Sequence, residues 1–150
     1  MVQKRSQLHW ENGEKANADS VAQTLAAFVP DLTDWPRSWR YEDRDVVPGE
    51  QIVACLTPFL HHLLGLGLSR KTRNRHRDNL WRLGGELIRA IQEEPRLRRQ
   101  PINVVVGSVV GQDGGPLLAN SDSEEVQSSF DSTCRKLAAF LRDTAINHTD

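Results

Sequence analysis

Apolar residues recur at intervals of three and four along most of this chain, the period of helices with one buried face. In residues 49–64, Ile52, Val53, Leu56, Phe59, Leu60, Leu63 and Leu64 keep that spacing across Pro58, which predicts one helix bent near 54–58 rather than two. Gly65 and Gly67 can adopt positive φ at its exit, and Ser69 is a good N-cap for a second helix over residues 70–93. That helix places Leu80, Leu83, Gly84, Leu87, Ile88 and Ile91 on its buried face and stops before Pro95. Gly84-Gly85 costs roughly 1 kcal/mol per residue relative to Ala inside a helix, so another helix is expected to approach closely there.

The flanking segments read less regularly. Residues 1–16 are polar and aperiodic, a loose arm, and Asp19 or Ser20 can cap a short helix with Val21, Leu25 and Phe28 on one face before Pro30. Residues 31–48 mix Trp35, Trp39 and Tyr41 with Pro36 and many charges, which predicts an irregular segment pinned by its aromatics. Residues 102–110 are rich in β-branched side chains, yet Ile102, Val105, Val106, Val109 and Val110 share one helical face; a short helix is expected. After a turn at Asp113-Gly-Gly-Pro116, Asp122 and Glu125 form a capping-box signature for a last helix that buries Val126, Phe130, Cys134, Leu137 and Leu141. The expected fold is all-α, a single-domain bundle of four to five helices. Residues 1–48 are the arm, short helix and aromatic segment, and 49–150 the helical core.

Composition agrees with a globular chain: 38% of its 150 residues are hydrophobic and 26% charged. No apolar run approaches the roughly 20 residues of a membrane span, and the first residues lack the apolar core of a signal peptide, so a cytoplasmic protein with reduced Cys55 and Cys134 is expected. Net charge is only −1 but unevenly spread. Residues 1–48 hold six basic and eight acidic groups, 49–100 ten and five, and 101–150 three and seven. The excess is concentrated at the start of the second long helix, where six Arg or Lys residues and His76 lie between Arg70 and Arg82 against the single acid Asp78. Such an arrangement suits phosphate oxygens.

The stretch LTPFLHHLLGLGLSRKTRNRHRDNLWRLGGELI, with Gly67-Leu-Ser69, Lys71-Thr72 and Leu80, resembles the core-binding domain of tyrosine recombinases and phage integrases, over residues 51–91. The resemblance implies a helix that ends in a glycine-leucine-serine turn and a following helix that carries basic residues toward DNA. The segments NLWRLGGE and SFDSTCRKLAAFL also resemble small uncharacterised bacterial proteins, which implies a bacterial origin and one among mobile elements. Recombinase chemistry needs a nucleophilic tyrosine and a His-x-x-Arg element on the C-terminal side. Here the only tyrosine, Tyr41, precedes the matching region, and no His has Arg three positions later. Only the DNA-gripping half is imitated.

The expected nucleic-acid-binding residues are Ser69, Arg70, Lys71, Thr72, Arg73, Arg75, Arg77 and Arg82. Arg70, Arg73 and Arg77 are the best candidates for a cluster without neutralising acids, so replacing Arg73 and Arg77 should spare the fold. The competing reading is an ordinary salt-bridged face, because Asp78 and Glu86 interleave at helical spacing with Arg75, Arg82 and Arg89. Trp81 reads as core rather than as a stacking surface. His61-His62 with Cys55 or His76 lacks zinc-motif spacing, and Ser128-Ser-Phe-Asp-Ser-Thr-Cys134 has no histidine base nearby in sequence. No catalytic residue, metal or cofactor is expected. Two functions stand: a non-catalytic module for duplex DNA, or a bacterial protein-interaction or regulatory protein without nucleic-acid contact. The second is motivated by near-neutral charge, acidic ends and exposed-looking Trp35 and Trp39.

Overall fold

The helical periods are realised in the computed structural model, which describes residues 25–118 and 123–148, with side chains to residue 145. The fold is all-α. Residues 25–28 are helical, followed by α1 (Trp35–Trp39), α2 (Val46–Leu64), α3 (Arg70–Glu93), α4 (Ile102–Val109) and α5 (Glu124–His148). Among the described residues the sole β-type pairing is an isolated bridge between Gly111 and Gly114, in the expected turn.

Helix α2 buries Ile52, Leu56, Phe59, Leu60 and Leu63 and runs unbroken across Pro58. It starts three residues earlier than expected, because the preceding turn is capped by the Glu42 and Asp45 side chains. At its exit Gly65 keeps helical φ (−83°), and the left-handed residue is Gly67 (φ 69°). The Ser69 side chain then accepts from the Thr72 amide at 3.2 Å, and α3 spans the expected residues. Its six expected core residues are buried, with His76 and Asn79 beside them. Helix α5 packs antiparallel to α3, since His76 meets Thr133 while Asn79 meets Ser129. It buries Phe130, Cys134 and Leu137, with Val126 and Leu141 half-buried. Helix α4 forms where strand and helix signals competed. Its Val105 and Val106 are buried against α2 and α3, so tertiary packing rather than β-branching decides the conformation.

Residues 31–48 depart from expectation. They form α1 between two short 3-10 turns (Leu32–Asp34 and Asp43–Asp45), and Trp35 and Trp39 are only 2% and 5% exposed, not open to a partner. Their rings lie 5.7 Å apart at 53°. Trp39 enters the space over Gly84, where an added Cβ would come within 2.0 Å of the indole. The close approach predicted from Gly84-Gly85 is therefore real, and the approaching group is a tryptophan ring. Asp45, fully buried, takes hydrogen bonds from the amides of Tyr41 and Glu42, from Gln92 and from Arg98, which ties this segment to the end of α3. Tyr41 itself is exposed. The expected arm, Asp19, Ser20, Val21 and the Asp122 cap lie outside the described residues; the amides of Glu125 and Val126 donate to the Ser123 hydroxyl.

Candidate nucleic-acid interface

The start of α3 is built by its cap. Ser69 accepts from the Thr72 amide and donates to the Thr72 hydroxyl at 3.0 Å, while the Ser69 carbonyl takes the Arg73 amide. Of the first-turn amides, those of Arg70 and Lys71 remain open to an anion. Ser69, Arg70, Lys71, Arg75 and Arg82 are exposed; Thr72, Arg73 and Arg77 are half-buried.

Two of the expected cationic side chains turn inward. The Arg73 and Arg77 guanidinium carbons lie 5.7 and 5.8 Å from the centroid of the Phe28 ring. Arg77 also donates to the Phe28 carbonyl at 3.0 Å and to Asn74, and pairs with Asp78 at 3.0 Å. The expected cluster of Arg70, Arg73 and Arg77 is thus not formed as an open patch. Its reason is the segment before Pro30, which brings an aromatic ring and an unpaired carbonyl against two cations on the same side of α3.

The remaining cations are open. Asp78 is taken by Arg77 and Glu86 by Arg89, so the interleaved acids do not neutralise Arg75 or Arg82. Arg70, Lys71, Arg75, Arg82 and, on α5, Lys136 have no ion-pair partner, as is also true of Arg37, Arg40, Arg73, Arg99, Arg135 and Arg142 among the described residues. Lys71, Arg75 and Arg82 fall within about 40° of one another around a helix of 3.6 residues per turn. Arg75 and Lys136, on two helices, both act electrostatically on His76. Burial holds this imidazole below its usual pKa, and the two cations push it further in the same direction. Arg75 also edges an open groove of about 510 Å³ lined by Glu124, Glu125, Ser128, Ser129 and Ser132, where the charge is mixed.

At the other end of this face lies a cleft of about 520 Å³ lined by Pro30, Asp31, Trp35, Arg77, Asp78, Trp81 and Arg82. Trp81, expected in the core, is 42% exposed. The core position over Gly84 belongs to Trp39 instead, and Trp81 lies on the solvent side of α3. Its Nε1 donates to Ser38 Oγ at 2.9 Å, and its carbonyl accepts from Trp39 Nε1 at 2.9 Å.

A second buried polar constellation was not visible in sequence. Thr133 Oγ1 lies 2.7 Å from His76 Nδ1 and accepts from Asn79 Nδ2 at 2.9 Å, so the hydroxyl-bearing segment of α5 does meet a histidine, 57 positions away. The one signal was His76 and Asn79 at i, i+3 spacing beside the apolar stripe. All three are buried, which keeps substrates away from them. The Cys134 thiol is pushed up to about 12, by burial first and then by Asp131 against the opposing Arg135, and burial also raises Cys55; neither is an activated thiolate. His62 stacks on Phe59 and packs against Phe140, and among the described residues no His, Cys, Asp or Glu cluster could hold a metal. No helix among them is long and apolar enough to cross a membrane. Comparison with protein-family models, with curated proteins and with solved structures gives no match.

Proposed function

We propose that this protein is a non-catalytic helical module that binds duplex DNA through the open face of α3, in the manner implied by its resemblance to recombinase core-binding domains, and that it works in the bacterial cytoplasm. One observation carries the reading: Arg75 and Arg82 remain without ion partners although Asp78 and Glu86 are within helical reach, and Arg70 and Lys71 have no acid within four positions on α3. Ser69, Thr72 and the open amides add hydrogen-bonding capacity at the same end, while Arg73 and Arg77 support the face by fixing Phe28.

Titrating labelled duplex at low salt tests the proposal. Affinity should fall as salt rises, with a log–log slope of about −0.9 for each phosphate neutralised. Replacing Lys71 and Arg75 together with Ala should weaken binding to all sequences alike and make the slope shallower by up to about 2. No binding by the wild-type protein, or unchanged binding by the folded double variant, refutes it. The groove that Arg75 shares with Glu124 and Glu125 favours the second reading, an interaction or regulatory protein, since those carboxylates repel phosphate. That reading predicts no duplex binding at any salt.

A further inference from the structure

The exposed Trp81 ring is held by one hydrogen bond, to a serine that is itself anchored. Its indole Nε1 donates to Ser38 Oγ at 2.9 Å, Ser38 Oγ itself donates to the Trp35 carbonyl at 2.7 Å, and the Trp81 carbonyl accepts from the buried Trp39 indole at 2.9 Å. A ring so held, yet 42% exposed, is a rigid aromatic surface at the edge of an open cleft of about 520 Å³. Beside it are Arg82, exposed and without an ion partner, and Arg77, whose guanidinium is held by the Phe28 carbonyl and Asp78. The inward position over Gly84 is occupied by Trp39, which leaves the Trp81 ring on the solvent side.

An aromatic plane next to an unpaired guanidinium matches one ligand chemistry: a flat heteroaromatic ring joined to a phosphate. The plane takes the ring by stacking and the cation takes the phosphate. Trp81 and Arg82 also lie in line with Arg70 and Lys71 respectively, about 16 Å along α3 at 1.5 Å of rise per residue. Bases inside a duplex offer no free face to such a plane. We infer that the Trp81 cleft receives an unpaired base of single-stranded DNA, stacked on the indole with its neighbouring phosphate on Arg82. The inference rests on the nucleic-acid reading of α3 and narrows it to strands with unpaired nucleotides. Asp31 and Asp78 line the same cleft and disfavour a bare phosphate, so the ring contact is needed for binding there.

The test uses the full chain and three labelled probes at low salt: a deoxythymidine 12-mer, a blunt duplex, and the same duplex with a single-stranded overhang. The wild-type protein should bind the overhang probe more tightly than the blunt duplex. Trp81→Ala should weaken 12-mer binding roughly 5- to 150-fold, the effect of removing one base–aromatic stack, with little change on blunt duplex. Trp81→Phe should restore much of the loss, which a merely structural tryptophan would not allow if its Ser38 bond were the point. Arg82→Ala, which leaves that bond in place, should weaken 12-mer binding and make its salt slope shallower. Blunt and overhang probes bound equally, or 12-mer binding unaltered in both Trp81→Ala and Arg82→Ala, overturns the inference while leaving duplex binding intact. No binding to any probe overturns both it and the reading beneath it.

Discussion

Gly84 and Gly85 are adjacent in one helix, yet alanine at each should have opposite effects. In an α-helix interior Gly→Ala is favourable by about 0.8–1.0 kcal/mol, because alanine loses less backbone entropy on folding. At Gly85 nothing opposes that gain: the nearest atom to an added Cβ is Trp39 Cδ1 at 3.6 Å, an ordinary contact. At Gly84 the added Cβ would lie 2.0, 2.3 and 2.4 Å from Cζ2, Cη2 and Cε2 of the Trp39 ring, so the indole must move. It is 5% exposed, packed near Trp35 and bonded through Nε1 to the Trp81 carbonyl, which leaves little room to retreat. Overpacking a core costs about 1–3 kcal/mol. A strained or broken hydrogen bond adds about 1 kcal/mol, which roughly cancels the helix gain. Gly84→Ala should therefore destabilise by about 1–3 kcal/mol and Gly85→Ala stabilise by about 0.5–1 kcal/mol, with roughly 2–4 °C in Tm per kcal/mol for a chain of this size. Denaturant unfolding followed by far-UV circular dichroism measures both. A Trp39→Leu background should reduce the cost of Gly84→Ala, the coupling expected of residues in contact. A Gly84→Ala protein as stable as wild type, or a Gly85→Ala protein less stable, would refute the packing argument.

Two further outcomes follow from the same geometry. Replacing both Arg73 and Arg77 with Ala removes a charge-assisted hydrogen bond to the Phe28 carbonyl, typically about 1.5–3 kcal/mol, and two ring contacts of about 0.5–1 kcal/mol each at exposed sites. Because Arg77 is partly exposed the sum should fall near 2 kcal/mol in a denaturation experiment, and a change below about 0.5 kcal/mol would mean that the Phe28 clamp contributes nothing. His76 sets a pH dependence: its folded pKa lies below the ordinary value of 6.5, so below that pH the unfolded chain binds more protons and acid favours unfolding. The contribution is fully present above about pH 6.5–7 and declines as pH falls toward the folded value; His76→Gln should flatten this part of a stability–pH curve relative to wild type, and an unchanged curve would exclude His76 as its source.

Helix α3 was legible because everything that defines it is local. Ser69 caps it, Pro95 follows its end, and the stripe from Leu80 to Ile91 needs only a period of 3.6. Helix α4 was less legible, since its β-branched residues also suit a strand and the burial of Val105 and Val106 against α2 and α3 decides for the helix. The tryptophans were not legible. Trp39 and Trp81 both sit among charged neighbours in sequence, and what separates them is Gly84, whose missing side chain admits one ring and leaves the other outside. Cation position shows the same limit. A charge count cannot distinguish Arg77 from Arg75, because the difference is a ring and a carbonyl at Phe28, 49 positions from Arg77. The His76–Thr133 pair joins α3 to α5 across 57 positions, and no spacing rule reaches that far.

The core and the open face of α3 are mechanically one unit. Trp39 lies over Gly84 and donates to the Trp81 carbonyl; Trp81 donates to Ser38, and Ser38 donates to the Trp35 carbonyl, whose ring packs back near Trp39. The exposed indole is thereby tied, through Ser38, to the segment that carries the buried ones. Rigidity of this kind matters for recognition, because immobilising a side chain on binding costs about 0.5–1.5 kcal/mol, and a surface already ordered avoids that loss. It also couples the measurements. A substitution that displaces Trp39 disturbs both stability and the Trp81 surface, so weaker nucleic-acid binding in Gly84→Ala would not identify a contact. Arg82 lies outside the circuit: it has no ion-pair partner and borders the same cleft, so its removal changes the charge facing a ligand while leaving the tryptophans in place. A loss of affinity at Arg82 therefore reports on the phosphate itself, which makes it the residue that separates a binding surface from a structural brace.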